Sequence, residues 1–123
     1  MTVVKELKDD VDYIITTSGT TGEAKAIFVT SSSLLPNIVD IHKAFGVHDK
    51  DAVLLCSPLT FDPSLIDVFV SLSAGCQLVV VPASQKLTHA AHMLEQLEIS
   101  ILQCTPSLAK MLLPSGDLVY FTV

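Results

Sequence analysis

The sequence predicts an α/β fold, part of a doubly wound parallel sheet. Three observations lead there. Short apolar runs alternate with stretches of helical periodicity through most of the 123 residues. Two of the runs, residues 52–56 (AVLLC) and 78–81 (LVVV), are apolar throughout, as strands are when both sheet faces are covered. Glycines follow two helical stretches, at Gly46 and Gly75, where a chain turns back toward the next strand.

Residues 13–17 (YIITT) read as a strand that stops at the Ser/Gly/Thr cluster 18–22, and 26–30 (AIFVT) read as a second strand. Ser31, Ser32 and Ser33 then offer caps to a helix with Leu34, Leu35, Ile38, Ile41 and Phe45 at helical spacing. Pro36 is expected in its first turn. Residues 52–56 are the third strand. Asp62-Pro63 opens a second helix, with Asp62 as N-cap, Leu65, Ile66, Phe69 and Leu72 facing inward, and Gly75 as the stop. Residues 78–81 are the fourth strand, ended by Pro82. Residues 87–98 read as an amphipathic helix with Leu87, Ala91, Leu94 and Leu97 on one face. Residues 99–104 are the fifth strand, and Thr105-Pro106-Ser107 opens a last helix through Leu113. There is no internal repeat and no linker. The organisation expected is a lead-in over 1–12, one partial domain over 13–113, and an atypical tail over 114–123. The apolar end of that tail is expected to stay unpaired.

Half of the residues are apolar and 16% are charged, which excludes a disordered chain. The seven basic residues are all lysine, and thirteen acids bring the net charge to −6. A nucleic-acid partner needs a basic footprint and an anionic membrane needs a polybasic segment; neither is present. With no arginine, any bound phosphate must be held by backbone N–H groups, hydroxyls and lysine. Cys56, Cys76 and Cys104 lie too far apart for a zinc ribbon or a disulfide framework and read as buried thiols. No signal peptide is expected from the N-terminal residues, which lack a positive segment followed by an apolar run. Residues 68–85 lack charge but are interrupted by serines, Gly75 and Pro82, so they read as helix, stop and strand rather than a membrane span. A cytoplasmic location is expected.

Residues 16–25 hold the strongest chemical signal: five hydroxyls, two glycines and one lysine in ten positions. Gly19 and Gly22 allow successive N–H groups to point into one concavity. Thr17, Ser18, Thr20 and Thr21 add hydroxyls, and Lys25 adds a compact positive charge. A Walker A loop is excluded, because the glycines are three apart and a strand follows, not a helix. The loop therefore joins two strands and can fold over phosphates as a flap. The plain alternative is a Ser/Thr/Gly hairpin turn with a solvated lysine.

The run TSGTTGEAK resembles the phosphate-loop signature of the adenylate-forming (AMP-dependent synthetase/ligase) superfamily. SPLTFDPSLIDVFVSLSAG, at 57–75, resembles the segment that follows it in the amino-acid-activating branch, and LVVVP and ILQCTPSLAKML continue in the same order. The resemblance spans 13–113 and implies part of the sheet of that superfamily's N-terminal domain. It implies a ligase that activates the carboxylate of an amino acid, such as β-alanine, as an acyl-adenylate and passes it to a phosphopantetheine thiol. ATP and Mg2+ are implied with it. Thr17, Ser18, Gly19, Thr20, Thr21 and Gly22 would hold the β- and γ-phosphates, and Lys25 would be the catalytic cation facing the leaving pyrophosphate. Phe61 and Asp62 would bind the substrate, Asp62 pairing with its ammonium group. The other reading of Asp62 is the helix cap, and one set of lone pairs does not easily serve both. A fatty-acyl-CoA-synthetase-like relative and a non-catalytic interaction fragment are the competing readings.

Some positions depart from the family pattern. Ala24 stands where proline is usual, Ala26 where glycine is frequent, and Ser31 where many members have histidine. The later adenine-binding, ribose-binding and C-terminal lysine motifs do not occur, which marks the chain as an expected fragment. Outside this region, His89, His92 and Glu95 follow one another at helical spacing, but they lie on the polar face of their helix, and no metal site is expected there. His42 and His48 flank a helix end, where a cation is mildly favoured, and neither needs a functional role.

One prediction follows from the missing motifs. Incubated with Mg-ATP and an amino acid, the purified 123-residue chain should yield no acyl-adenylate by mass spectrometry; detectable product would refute it.

Overall fold

The computed structural model describes residues 10–18, 24–82, 90–112 and 119–121. The chain runs β1 (Val11–Ser18), β2 (Ala24–Thr30), α1 (Ser31–Phe45), β3 (Ala52–Leu54), α2 (Pro63–Ala74), β4 (Gln77–Val79), α3 (Ala90–Gln96), β5 (Ile101–Gln103), α4 (Pro106–Leu112) and β6 (Val119–Phe121). A four-stranded sheet in the order β4-β3-β5-β6 is parallel at every pairing. That is the α/β architecture with a parallel sheet that the alternating pattern predicts.

The first two strands stand apart from this sheet. β1 and β2 form an antiparallel hairpin of their own, with Tyr13 opposite Val29, Ile15 opposite Ile27 and Thr17 opposite Lys25. Only five residues separate them, too few for a crossover, so neighbours so closely joined can pair only antiparallel. The expectation of five strands in one parallel sheet is corrected here. The tail also differs from expectation. Val119–Phe121 pairs parallel with β5 and supplies the edge strand β6.

Strand alternation explains how the sheet is covered. Ala52, Leu54, Leu102 and Cys104 point to one face and pack with Leu94 of α3 and Ala109 and Leu112 of α4. Val53 and Ile101 point to the other face, as does Gln103, which meets α2. Val53 and Leu102 are fully buried, as strands covered on both sides must be. A second core lies beyond α2: Leu34 and Ile38 of α1 and Val70 of α2 pack with Tyr13, Val29, Ile66 and Phe69. Helix α2 is therefore a middle layer between the sheet and the hairpin.

That position overturns part of the expected inward face of α2. Its most buried residues are Ser64, Asp67, Val70 and Ser71, while Leu72 is 71% exposed. The Ser64 and Ser71 hydroxyls donate to the carbonyls of Phe61 (2.8 Å) and Asp67 (2.7 Å) and so need no outside partner. In the orientation that satisfies both groups, the Gln103 amide nitrogen donates to the Pro63 carbonyl and to Asp67 Oδ1, each at 2.8 Å. A polar line thus joins α2 to β5 where apolar packing was expected.

The helix ends follow the glycines. Gly46 has φ 63° and donates to the His42 carbonyl; Gly75 has φ 68° and donates to the Leu72 carbonyl. Both adopt the left-handed conformation that side chains disfavour. Helix α3 ends earlier than expected, at Gln96. Glu98 takes φ 50°, and Ile99 N–H closes on the Leu94 carbonyl. Leu97 consequently turns outward, at 40% exposure, instead of joining the inward face. Leu87 and His89 lie outside the described residues. Pro36 is corrected as well: α1 begins at Ser31 behind Thr30, so Pro36 sits in the second turn and costs that helix one hydrogen bond. Of the cysteines, Cys104 is buried as expected, whereas Cys56 and Cys76 are half-buried; none of the three is in a disulfide.

Leu102→Ala, at the centre of the sheet, should cost about 2–5 kcal/mol in urea unfolding. Leu72→Ala, on the exposed side of α2, should stay within about 0.5 kcal/mol of the parent chain.

Candidate active site

The strand order contains a switch point. The chain leaves β3 through α2 toward β4 on one side, and leaves β5 through α4 toward β6 on the other. Ligands of open α/β sheets bind outside the carboxyl ends of the strands at such a point, because the diverging loops leave a crevice there. The segment that follows β3 at this end carries Phe61 and Asp62, and Cys104 and Thr105 follow β5 beside it.

Phe61 is 58% exposed and its backbone is tied into the turn, its N–H donating to the Pro58 carbonyl at 2.9 Å. Asp62 does not act as the expected cap. Its backbone is already helical (φ −47°, ψ −43°), and its side chain makes no cap hydrogen bond. Pro63 occupies the first turn as predicted and has no N–H to be capped. The Asp62 carboxylate instead accepts a 2.8 Å hydrogen bond at Oδ1 from the hydroxyl of Tyr13, 49 residues away on β1. Between the two readings of Asp62, the cap is thereby excluded.

Tyr13 is held from behind. Its ring stacks on Phe69 of α2, centroids 6.0 Å apart and planes at 23°, within the second core. Burial, then the Asp62 hydrogen bond and charge, push its phenol up to about 12. Sequence reasoning missed this residue as a site partner. No local pattern marks it, since a single tyrosine in a strand reads as core.

The hairpin brings a second group of candidates close. Tyr13, Ile15 and Thr17 share one face with their partners Val29, Ile27 and Lys25. Thr17 and Lys25 therefore face each other at the mouth of the hairpin, both exposed. They lie four residues along β1 from Tyr13, about 13 Å. Ser18 ends β1 opposite Ala24. Gly19, Thr20, Thr21 and Gly22 lie outside the described residues, between two strands that pair as the loop reading requires. Ser31 donates through its hydroxyl to Asp12 Oδ1 at 2.7 Å. Of the minor candidates, His92 and Glu95 are exposed on α3. His42 Nε2 meets the Ser73 hydroxyl at 2.9 Å, and His48 Nδ1 lies 3.2 Å from Asp51. Among the described residues, no three His, Cys, Asp or Glu side chains group as metal ligands, and no helix is long and apolar enough to cross a membrane.

Comparison with known proteins decides the family. The profile of the family described as AMP-binding enzyme matches residues 1–121. The chain belongs to the AMP-binding enzyme family. It is 41% identical over 101 residues to the beta-alanine-activating enzyme of Mus musculus, covering 80% of this chain and 9% of that protein. It is 42% identical over 101 residues to the Danio rerio enzyme of the same name, with the same coverage of 80% and 9%. Among solved structures, the Vibrio cholerae adenylation domain AlmE, crystallised with glycyl-adenosine-5'-phosphate, superposes with a TM-score of 0.77 at 37% identity. That match covers 91% of this chain and 22% of AlmE. The chain thus spans about a tenth of the length of these curated relatives. Asp62 lies in the segment that follows β3, next to the switch point between β3 and β5.

The Tyr13 phenol makes a pH test possible. The unfolded chain loses this proton near pH 10, the folded chain near 12, so between these values the folded state holds more protons and stability falls as pH rises. Urea midpoints should decline from pH 10 to 12, and Tyr13→Phe should flatten that part of the decline. Identical slopes in both chains would contradict the assignment.

Proposed function

We propose that this chain carries the phosphate loop and part of the substrate pocket of an enzyme that activates an amino acid with ATP. The observation that carries the reading is the Asp62 carboxylate: exposed, free of the capping role, and placed at the sheet's switch point on the hairpin face that also bears Thr17 and Lys25. The names of the relatives, a β-alanine-activating enzyme and an adenylation domain holding a glycyl-adenylate, support the same substrate class.

The mechanism follows from charge and reach. Asp62 pairs with the ammonium group and orients the amino acid so that its carboxylate points along the hairpin toward the phosphates. A carboxylate oxygen attacks the α-phosphorus of Mg-ATP, the bond to the bridging oxygen breaks, and pyrophosphate leaves with the electron pair. Lys25, the hydroxyls of Thr17, Ser18, Thr20 and Thr21, and the backbone N–H groups at Gly19 and Gly22 oppose the charge that grows on that leaving group. Magnesium arrives with ATP as part of the substrate. In the second half-reaction, a phosphopantetheine thiol on a carrier attacks the acyl carbon and AMP leaves. Phe61 lines the substrate side.

A second reading, an interaction module without chemistry, draws on the cross-strand pair of Ile14 and Phe28, both exposed on the opposite hairpin face. Nucleotide binding separates the two. In an amide-correlation NMR titration, Mg-ATP or pyrophosphate should shift resonances of residues 17–25. Lys25→Ala should weaken that binding roughly tenfold, the effect of losing one charge-assisted contact to phosphate. A spectrum indifferent to nucleotide and to Lys25→Ala would favour the interaction module.

A further inference from the structure

We propose that Tyr13 is a positioning residue for amine recognition: its hydroxyl fixes the Asp62 carboxylate in the orientation that receives a substrate ammonium group. The inference rests on the proposed role of Asp62 and adds the residue that makes the carboxylate selective.

The geometry is specific. Asp62 sits on the exposed turn that enters α2, where a short acidic side chain swings among rotamers. Tyr13 removes that freedom by donating to Oδ1 at 2.8 Å. A carboxylate offers about four lone-pair sites, so this bond leaves Oδ2 and part of Oδ1 for an incoming cation. The donor is itself packed in place. The Tyr13 ring stacks on Phe69 and packs in the core formed by Leu34, Ile38 and Val70, so its hydroxyl is aimed by buried groups on both helices. With its phenol pushed up to about 12, Tyr13 keeps its proton and remains a donor throughout the neutral range. Because Tyr13 belongs to β1, the same strand that enters the glycine loop also sets the carboxylate that holds the amine. Preorganisation of this kind raises affinity by cutting the ordering cost of binding.

The ligand class is an acid that carries an amine, and the control is the same acid without it. β-Alanine and propionate differ in that one group. Binding of each to the full chain is measured by NMR titration in the parent, Tyr13→Phe, Asp62→Asn and the double variant. Tyr13→Phe keeps the ring and its stacking and deletes only the hydroxyl. The expected result is a parent preference for β-alanine that falls about tenfold in Tyr13→Phe with propionate binding unchanged. Asp62→Asn should abolish the preference, and adding Tyr13→Phe to it should change nothing more. If Tyr13→Phe retains the preference while Asp62→Asn loses it, the inference is overturned and the role of Asp62 stands. An equal loss for both ligands in Tyr13→Phe also overturns it, since that is a packing effect. A parent chain with no preference for β-alanine overturns the role of Asp62 and this inference with it. Should Tyr13→Phe fail to fold, the parent decides: the Tyr13 ring resonances must shift with β-alanine and not with propionate, and an unmoved ring overturns the proposal.

Discussion

The Asp67 carboxylate, 1% exposed between α2 and β5, sets the constraint on which the rest of the arrangement depends. A carboxyl group so deeply buried is costly unless it is hydrogen-bonded. Gln103 supplies that bond, reaching from the sheet to Asp67 Oδ1 and to the Pro63 carbonyl at the start of the helix. Two contacts from one amide fix both the rotation of α2 and the position of its first turn. Asp62 lies one residue before Pro63, and Phe69 two residues beyond Asp67. The carboxylate offered to the crevice and the ring that backs Tyr13 are therefore set by the same buried link.

Helix α2 consequently has two faces with different chemistry. Toward the sheet it presents Ser64, Asp67 and Ser71: the two hydroxyls donate to backbone carbonyls, and Asp67 Oδ1 accepts from Gln103. Toward the hairpin it presents Ile66, Phe69 and Val70 to the second core. The polar face gives orientation, because hydrogen bonds have direction, and the apolar face gives attraction without it. The Tyr13–Asp62 bond closes the structure at the end where the sheet's strands diverge. Asp62 and the facing pair Thr17 and Lys25 are thereby tied to the same hairpin, Asp62 through the Tyr13 hydroxyl and the pair by strand register.

Much of this was legible from local pattern. The positions of most strands, the glycine stops at Gly46 and Gly75, the proline at the start of α2 and the strand-loop-strand context of residues 16–25 all follow from short-range rules. The sheet's parallel character followed from uninterrupted apolar runs. The misreadings share a cause. Leu72 and Leu97 point outward and Asp67 points inward because burial depends on which layer a helix touches, and periodicity alone does not say how many layers there are. Pro36 sits deeper in α1 than expected because Thr30, and not a later serine, precedes the first helical residue. The run at 119–121 looked unpaired because a parallel partner, here β5, is remote in sequence.

The sequence by itself determined the chemistry on offer: a hydroxyl- and glycine-rich loop with one lysine, a carboxylate beside a proline, no arginine, and strands apolar enough to be buried on both faces. These are properties of residue type and spacing, and spacing is conserved when a chain folds locally. Tertiary structure alone decided that the Asp62 carboxylate accepts from the Tyr13 hydroxyl and does not cap α2. The choice depends on a hydroxyl 49 residues away. Only the packing of β1 against α2 brings that hydroxyl within 2.8 Å, and no pattern along the chain encodes a contact of that range.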